Sequence, residues 1–226
     1  MQNGRGQLAE VYYETDRATG RVACPGTLVP SPGQYLLAAP QSLWGAEVVT
    51  ALPLFTAGSA SDGFLTASAI PEGWGAGMPL YLRGPLGHGF SLPASAKRVG
   101  FVAWEESPAR LLALLPAALA QEAEVTLVCR TAPAGLAEEV EIQPLDALEE
   151  ICRWADFLAM DIERDSLHAL RQRMGRLQGK DVQVLVRTPV PCGAMAECGV
   201  CAVRMRRGWK MACKDGPVFD WRDLGD

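Results

Sequence analysis

The feature that most restricts this chain is Pro191-Cys192-Gly193-Ala194-Met195-Ala196-Glu197-Cys198-Gly199-Val200-Cys201, with Cys213 following. Four of the seven cysteines lie in the last 35 residues, spaced C-x5-C-x2-C-x11-C. Three thiols on a tight loop and a fourth from further along suit an iron–sulfur site. The plant-type [2Fe–2S] spacing is C-x4-C-x2-C…C, so this chain has one extra residue in the first gap. Structural zinc is the rival, but zinc sites usually present two close pairs, and here only Cys198 and Cys201 are close. Four cysteines as small buried hydrophobes is the bland alternative. The flanking Arg204, Arg206, Arg207, Lys210 and Lys214 speak against it. Gly193 and Gly199 directly follow two of the candidate ligands Cys192, Cys198, Cys201 and Cys213. Lacking a side chain, they accept dihedrals that let backbone N–H groups approach cluster sulfurs.

With 226 residues the chain can form one large domain or two small ones around a real core. An odd number of cysteines, mostly clustered, favours metal binding in a reducing compartment over disulfides. The net charge is -5, unevenly spread. Residues 181–226 hold seven Lys/Arg against six Asp/Glu, and the rest of the chain fourteen against twenty. That balance argues against a general nucleic-acid binder. The start, MQNGRGQLAEVYY, has no apolar core of signal-peptide type. The longest apolar run, residues 111–120, is too short to span a bilayer and contains Pro116. The expectation is a soluble cytoplasmic protein with no membrane association.

Residues 7–96 read as short strands cut by turns at Ala18-Thr19-Gly20 and Ser31-Pro32-Gly33-Gln34, which suggests a barrel or sandwich. The pattern changes near Lys97. Val99-Gly100-Phe101-Val102-Ala103-Trp104 suits a strand buried on both faces. Ser107 and Pro108 then cap a helix expected to run to about Gln121. Strands at 125–129, 140–142, 157–160 and 182–186 alternate with helices at 145–153 and 164–177, the signature of a parallel α/β sheet.

Three segments together resemble the electron-transfer subunit of dihydroorotate dehydrogenase B. They are Cys192-Gly193…Cys198-Gly199-Val200-Cys201…Cys213-Lys214-Asp215-Gly216-Pro217-Val218-Phe219, Pro32-Gly33-Gln34-Tyr35, and Gly84-Pro85-Leu86-Gly87-His88-Gly89-Phe90. The resemblance implies a multidomain α+β chain in three parts. These are a flavin-reductase-like antiparallel β-barrel (1–96), a Rossmann-like parallel α/β domain (97–186) and a [2Fe–2S] cluster region (187–226). It implies ligation by Cys192, Cys198, Cys201 and Cys213 and a place in pyrimidine biosynthesis. It also implies a hetero-oligomer with a dihydroorotate-dehydrogenase-like catalytic redox subunit.

The sequence departs from that family at its organic cofactors. The family's arginine-led flavin strand is here Leu52-Pro53-Leu54-Phe55-Thr56, and no phosphate loop follows. A pyrophosphate needs N–H donors and positive charge at a helix start. FAD stays open as an alternative through Tyr35, Thr56, Gly84 and Gly87. The glycine-rich turn of the nucleotide domain is replaced by Ala103-Trp104-Glu105-Glu106-Ser107-Pro108, whose carboxylates would repel a phosphate. The family's C-G-P motif gives way to Met160-Asp161-Ile162, so NAD is not expected in the family manner. Trp104 could plug that pocket or simply be a packed indole. Cys129 reads as a core thiol, and Cys24 and Cys152 have no partner spacing. His88 reads as a solvated loop histidine, and His168 has no assigned role. Lys210 and Lys214 flank the fourth ligand and are expected to tune its potential. The reading is a single-electron relay without a catalytic residue set. A flavin-dependent nicotinamide oxidoreductase and a zinc-bearing structural subunit stand as alternatives.

Overall fold

The computed structural model describes residues 2–13, 17–43, 51–105, 107–174 and 180–225. Glu106 and the end of the helix expected to reach Leu177 lie outside the described residues.

The first strands are β1 (Gln2–Tyr13), β2 (Ala18–Ala23), β3 (Tyr35–Pro40), β4 (Leu52–Ala60), β5 (Gly63–Thr66) and β6 (Met78–Leu86). They close into an antiparallel barrel in the order β1-β2-β5-β4-β3-β6. Closure leaves no free edge, and the interior is filled by residues such as Leu8, Val22, Leu36, Leu54, Phe64 and Leu80. The turn expected at Ala18-Thr19-Gly20 is instead the start of β2. Gly20 serves packing there: a Cβ would meet Leu8 at 2.7 Å and the Glu10 carbonyl at 2.8 Å. The turn at Ser31–Gln34 is present, closed by the Gln34 N–H on the Ser31 carbonyl.

A second sheet contains β7 (Arg98–Ala103), β8 (Glu124–Val128), β9 (Val140–Gln143), β10 (Phe157–Glu163) and β11 (Asp181–Arg187). All five run parallel. Val99, Phe101 and Ala103 of β7 face the layer of α1 (Ala109–Leu112) and α2 (Leu115–Ala120). Val102 faces the layer of α3 (Leu148–Trp154) and α4 (Leu167–Met174). The single helix expected over 107–121 is thus two. Pro116 has no N–H to donate and disfavours helical geometry before it, so the segment breaks at 113–114.

The C-terminal segment is integrated into this sheet. A hairpin of β12 (Ala202–Arg204) and β13 (Trp209–Met211) leads through α5 (Ala212–Asp215) to β14 (Val218–Asp220). Strand β14 pairs antiparallel with β11 and completes the six-stranded order β14-β11-β10-β7-β8-β9. This antiparallel edge has only three residues, too short for a periodic signal in the sequence. Cys201, Val203, Cys213, Phe219 and Trp221 share one apolar core with Val102, Leu158 and Val184. No helix among the described residues is long and apolar enough to cross a membrane.

Candidate metal centre

The loop carrying the first three candidate cysteines is shaped by left-handed backbone. Gly193 has φ 61°, Gly199 71°, and the non-glycine residues Ala194 and Ala196 have 63° and 62°. Alanine in this region costs about 1–2 kcal/mol, so the surrounding contacts must hold it. The result is a turn whose N–H groups face sulfur. Burial pushes the Cys192 thiol up, but hydrogen bonds from Cys198 and the N–H groups of Met195, Cys198 and Glu197 outweigh it. The net effect lowers Cys192 to about 6. Burial and the neighbouring Cys201 thiol push Cys213 up to about 12.

The four thiols are gathered two and two: Cys192 contacts Cys198, and Cys201 contacts Cys213. Cys201 and Cys213 are buried, Cys192 is half-buried and Cys198 is exposed. Two metals each taking two thiolates fit this pairing. Four thiols so gathered fit the ligand set of an iron–sulfur cluster. Cys24 is half-buried, and Cys129 and Cys152 are buried, all as free thiols.

Three segments singled out in the sequence meet beside this loop. Gln34 Nε2 donates to the Gly87 carbonyl at 3.0 Å, and the Phe90 N–H donates to the Pro32 carbonyl. The His88 N–H donates to the Gly216 carbonyl, and its Nδ1 lies 3.1 Å from the Asp215 carbonyl. A Cβ on Gly87 would strike the Gly216 carbonyl at 2.5 Å, and one on Gly33 would strike Val218 at 2.7 Å. The Asp215 carboxylate accepts the Met211 N–H and closes the turn that presents Cys213. His88 is exposed, as is His168, which contacts Gln172.

A cavity of about 510 Å³ opens between the barrel and the ends of β10 and β11. Tyr35, Leu52, Phe55, Arg110, Arg187 and Cys213 are among its walls. The Tyr35 and Phe55 rings sit 5.4 Å apart, and the Arg110 guanidinium lies 5.5 Å over Phe55. Tyr35 thus lies on a wall of this cleft. Thr56 is buried, its hydroxyl exchanging hydrogen bonds with the Gly58 backbone. Gly84 is used in packing, where a Cβ would meet Leu36 at 2.5 Å.

The neighbours β10 and β7 flank the point where strand order reverses, the usual nucleotide crevice of an open α/β sheet. Here the buried Asp161 occupies it. It accepts hydrogen bonds from Arg110 at 3.1 Å and Arg187 at 2.8 Å. Arg187 also binds Glu105 and Glu163. Trp104 is half-buried, packs against the core that contains Val102 and Leu158, and donates its backbone N–H to the Asp161 carbonyl. The sequence flagged Asp161 only as a lost motif and gave no sign that Arg110 and Arg187 would converge on it.

Arg83 and Arg164 also escaped the sequence reading. Arg83 donates to the Gly193 carbonyl at 3.0 Å. Arg164 donates to the Val200 and Ala202 carbonyls at 2.6 and 3.2 Å. Lys210 and Lys214, expected to tune the site, are exposed beside the fourth ligand position. No spacing rule separates a loop-gripping arginine from a solvated one.

Comparison with known proteins agrees with this geometry. The whole chain is similar to an NADH-dependent reduced ferredoxin-NADP oxidoreductase described in work on flavin-based electron bifurcation. The TM-score is 0.77 at 18% identity, covering 97% of this chain and 89% of that one. A ferredoxin NADP+ reductase from Neisseria gonorrhoeae, solved with FAD and NADP, aligns at TM-score 0.58 and 13% identity. That alignment covers 83% of this chain and 98% of the other. The cytochrome P450 reductase GcoB of Amycolatopsis aligns at 0.57 and 16%, covering 78% and 66%. A search of curated protein sequences finds no match. The chain has the ferredoxin-reductase fold, ending in a cysteine-rich region. Residues 192–225 match the model of the iron–sulfur cluster binding domain of dihydroorotate dehydrogenase B, in agreement with the resemblance read from the sequence.

Proposed function

We propose that this chain is an electron-transfer subunit that relays single electrons through a [2Fe–2S] cluster held by Cys192, Cys198, Cys201 and Cys213. The observation that carries the reading is the pairing of Cys192 with Cys198 and of Cys201 with Cys213 on a loop whose N–H groups face sulfur. When bound, the cluster supplies a one-electron carrier. The chain supplies the thiolates, the N–H groups that favour their charge, and the apolar wall behind Cys201 and Cys213 that keeps water from one side. Cys198, being exposed, marks the side from which a partner approaches. The match of residues 192–225 supports a catalytic redox subunit, dihydroorotate-dehydrogenase-like, as the partner in a hetero-oligomer. The division into 1–96, 97–186 and 187–226 belongs to the same proposal, with the third part docked on the second through β14.

The test is iron and sulfide analysis with visible and electron paramagnetic resonance spectra of anaerobically purified protein, before and after dithionite. Two irons per chain, a spectrum that bleaches on reduction, and loss of iron in Cys198→Ser support the reading. Stoichiometric zinc without iron, or full iron content in Cys198→Ser, would overturn it.

A second reading adds FAD. The specific observation is the cleft of about 510 Å³, which has aromatic rings on one wall and reaches Cys213. A flavin there would stand next to the cluster loop. Leu52 on the cleft wall brings no charge to a phosphate, and the crevice at Asp161 is occupied by the chain's own ion pairs. Nicotinamide binding in the family manner is therefore not proposed. Flavin fluorescence released on denaturation separates the two readings.

A further inference from the structure

Two arginines from different parts of the fold grip opposite halves of the cysteine loop. Arg83 comes from β6 of the barrel and Arg164 from the short 3-10 turn that follows β10 in the α/β sheet. Arg83 holds the carbonyl of Gly193, the residue after Cys192. Arg164 holds the carbonyls of Val200 and Ala202, the residues on either side of Cys201. In a trans peptide the carbonyl and the following N–H point in opposite directions. Fixing these three carbonyls on guanidinium groups therefore turns the N–H groups of Ala194, Cys201 and Val203 away from the arginines. It also keeps carbonyl oxygens, the negative ends of the peptide dipoles, from turning freely toward the thiolates.

Both groups bring positive charge. Asp165 lies 3.4 Å from Arg164 Nε, but its side chain is 90% exposed and so screened by water. Arg164 itself is half-buried beside the buried Cys201. A cluster of four thiolates is net negative and gains one further negative charge on reduction. Nearby cations favour the reduced form and raise the potential. A guanidinium is suited to this role because it stays charged and offers several donors in a fixed plane.

We propose that Arg83 and Arg164 are positioning residues for the cluster: each locks one half of the ligand loop, and each biases a bound cluster toward its reduced state. The proposal rests on the electron-relay reading and assigns the tuning charge to these two residues rather than to the exposed Lys210 and Lys214.

The experiment uses the full chain, loaded anaerobically with ferrous iron and sulfide. Iron content, circular dichroism and a redox titration followed by electron paramagnetic resonance are compared for wild type, Arg83→Gln, Arg164→Gln and Arg164→Lys. The expected result is folded Gln variants with wild-type iron content and a midpoint potential moved to more negative values, with Arg164→Lys moved back toward wild type. Loss of iron in Arg164→Gln together with retained iron and midpoint in Arg164→Lys also supports a role for the charge. An unchanged midpoint in both Gln variants overturns the proposal. So does equal loss of iron in the Gln and Lys variants, which would leave only a structural contact. A wild-type chain that takes up no iron overturns the relay reading itself and this proposal with it. A loaded wild type with indifferent variants overturns this proposal alone.

Discussion

The Tyr35 hydroxyl donates a 3.2 Å hydrogen bond to the backbone carbonyl of Cys213, joining the first strand after the barrel's P-G-Q-Y turn to the fourth candidate ligand. The ring is 1% exposed. Burial, and then the thiols of Cys213, Cys201 and Cys192, hold the phenol far above its ordinary range, so it remains a donor. Barrel and cysteine region are thus tied at the point where the thiols sit.

Removing only that hydroxyl tests the tie. Tyr35→Phe keeps the contact with Phe55 but leaves the Cys213 carbonyl without its donor. A buried group left unsatisfied costs about 1–3 kcal/mol. The expected outcome is a lower urea midpoint and faster iron release to a chelator from the loaded chain. Wild-type values in both would mean that the hydrogen bond contributes nothing.

The junction of the three motifs makes a sharper prediction about two glycines. Gly87 has φ 76° and no room, since a Cβ would meet the Gly216 carbonyl at 2.5 Å. Gly73 has φ 87° but open space around it. Gly73→Ala should lose only the left-handed penalty, about 1–2 kcal/mol. Gly87→Ala should lose that and also displace backbone, giving a clearly larger drop in unfolding free energy. Equal losses would show that the His88–Gly216 segment moves aside at little cost.

These elements also show how far the sequence was legible. The apolar run of β7 and the alternation of strands with helices declared a parallel sheet, because burial on both faces requires it. The cysteine spacing and the three motifs that carry the family resemblance marked segments that the fold brings into contact. What stayed hidden were contacts between distant segments. Gly20 looked like a turn because its packing partners, Leu8 and Glu10, are invisible to local pattern. Strand β14 was too short to show a period. Arg83, Arg164 and the Asp161 ion pairs depend on which side chains the fold brings together.

Acid should weaken two particular links. Asp156 accepts hydrogen bonds from the Arg98 guanidinium and the N–H groups of Lys97 and Arg98, at the entry to β7. Asp220 on β14 is paired with Arg222. The arginine in each case holds the carboxyl below its ordinary value of 3.8. The folded state binds a proton less readily than the unfolded one. The stabilisation is therefore fully present above 3.8 and is lost as pH falls through the lowered folded values. Stability measured by urea unfolding should decline below pH 4 more steeply in wild type than in a double variant with Asp156→Asn and Asp220→Asn. Parallel pH profiles would remove these two pairs from the account.

The network around Asp161 gives the largest expected loss of stability. Its side chain is 2% exposed and meets Arg110 and Arg187, themselves only 16% and 19% exposed. Arg187 keeps Glu105 and Glu163 if Asp161 is neutralised, but Arg110 is left with its ring contact on Phe55 and a buried Nε that already lacks a partner. Removing one member of a buried pair costs about 3–5 kcal/mol, because the remaining charge stays out of water. Asp161→Asn preserves size but removes the charge and replaces one of the two acceptor oxygens by an NH2 donor, so the loss measures charge and hydrogen bond together. It should appear as a large fall in the urea midpoint that added salt barely changes, since buried charges are poorly screened. A small loss, or one erased by salt, would mean that water reaches Arg110 and that the crevice beside Trp104 is more open than the ion pairs imply.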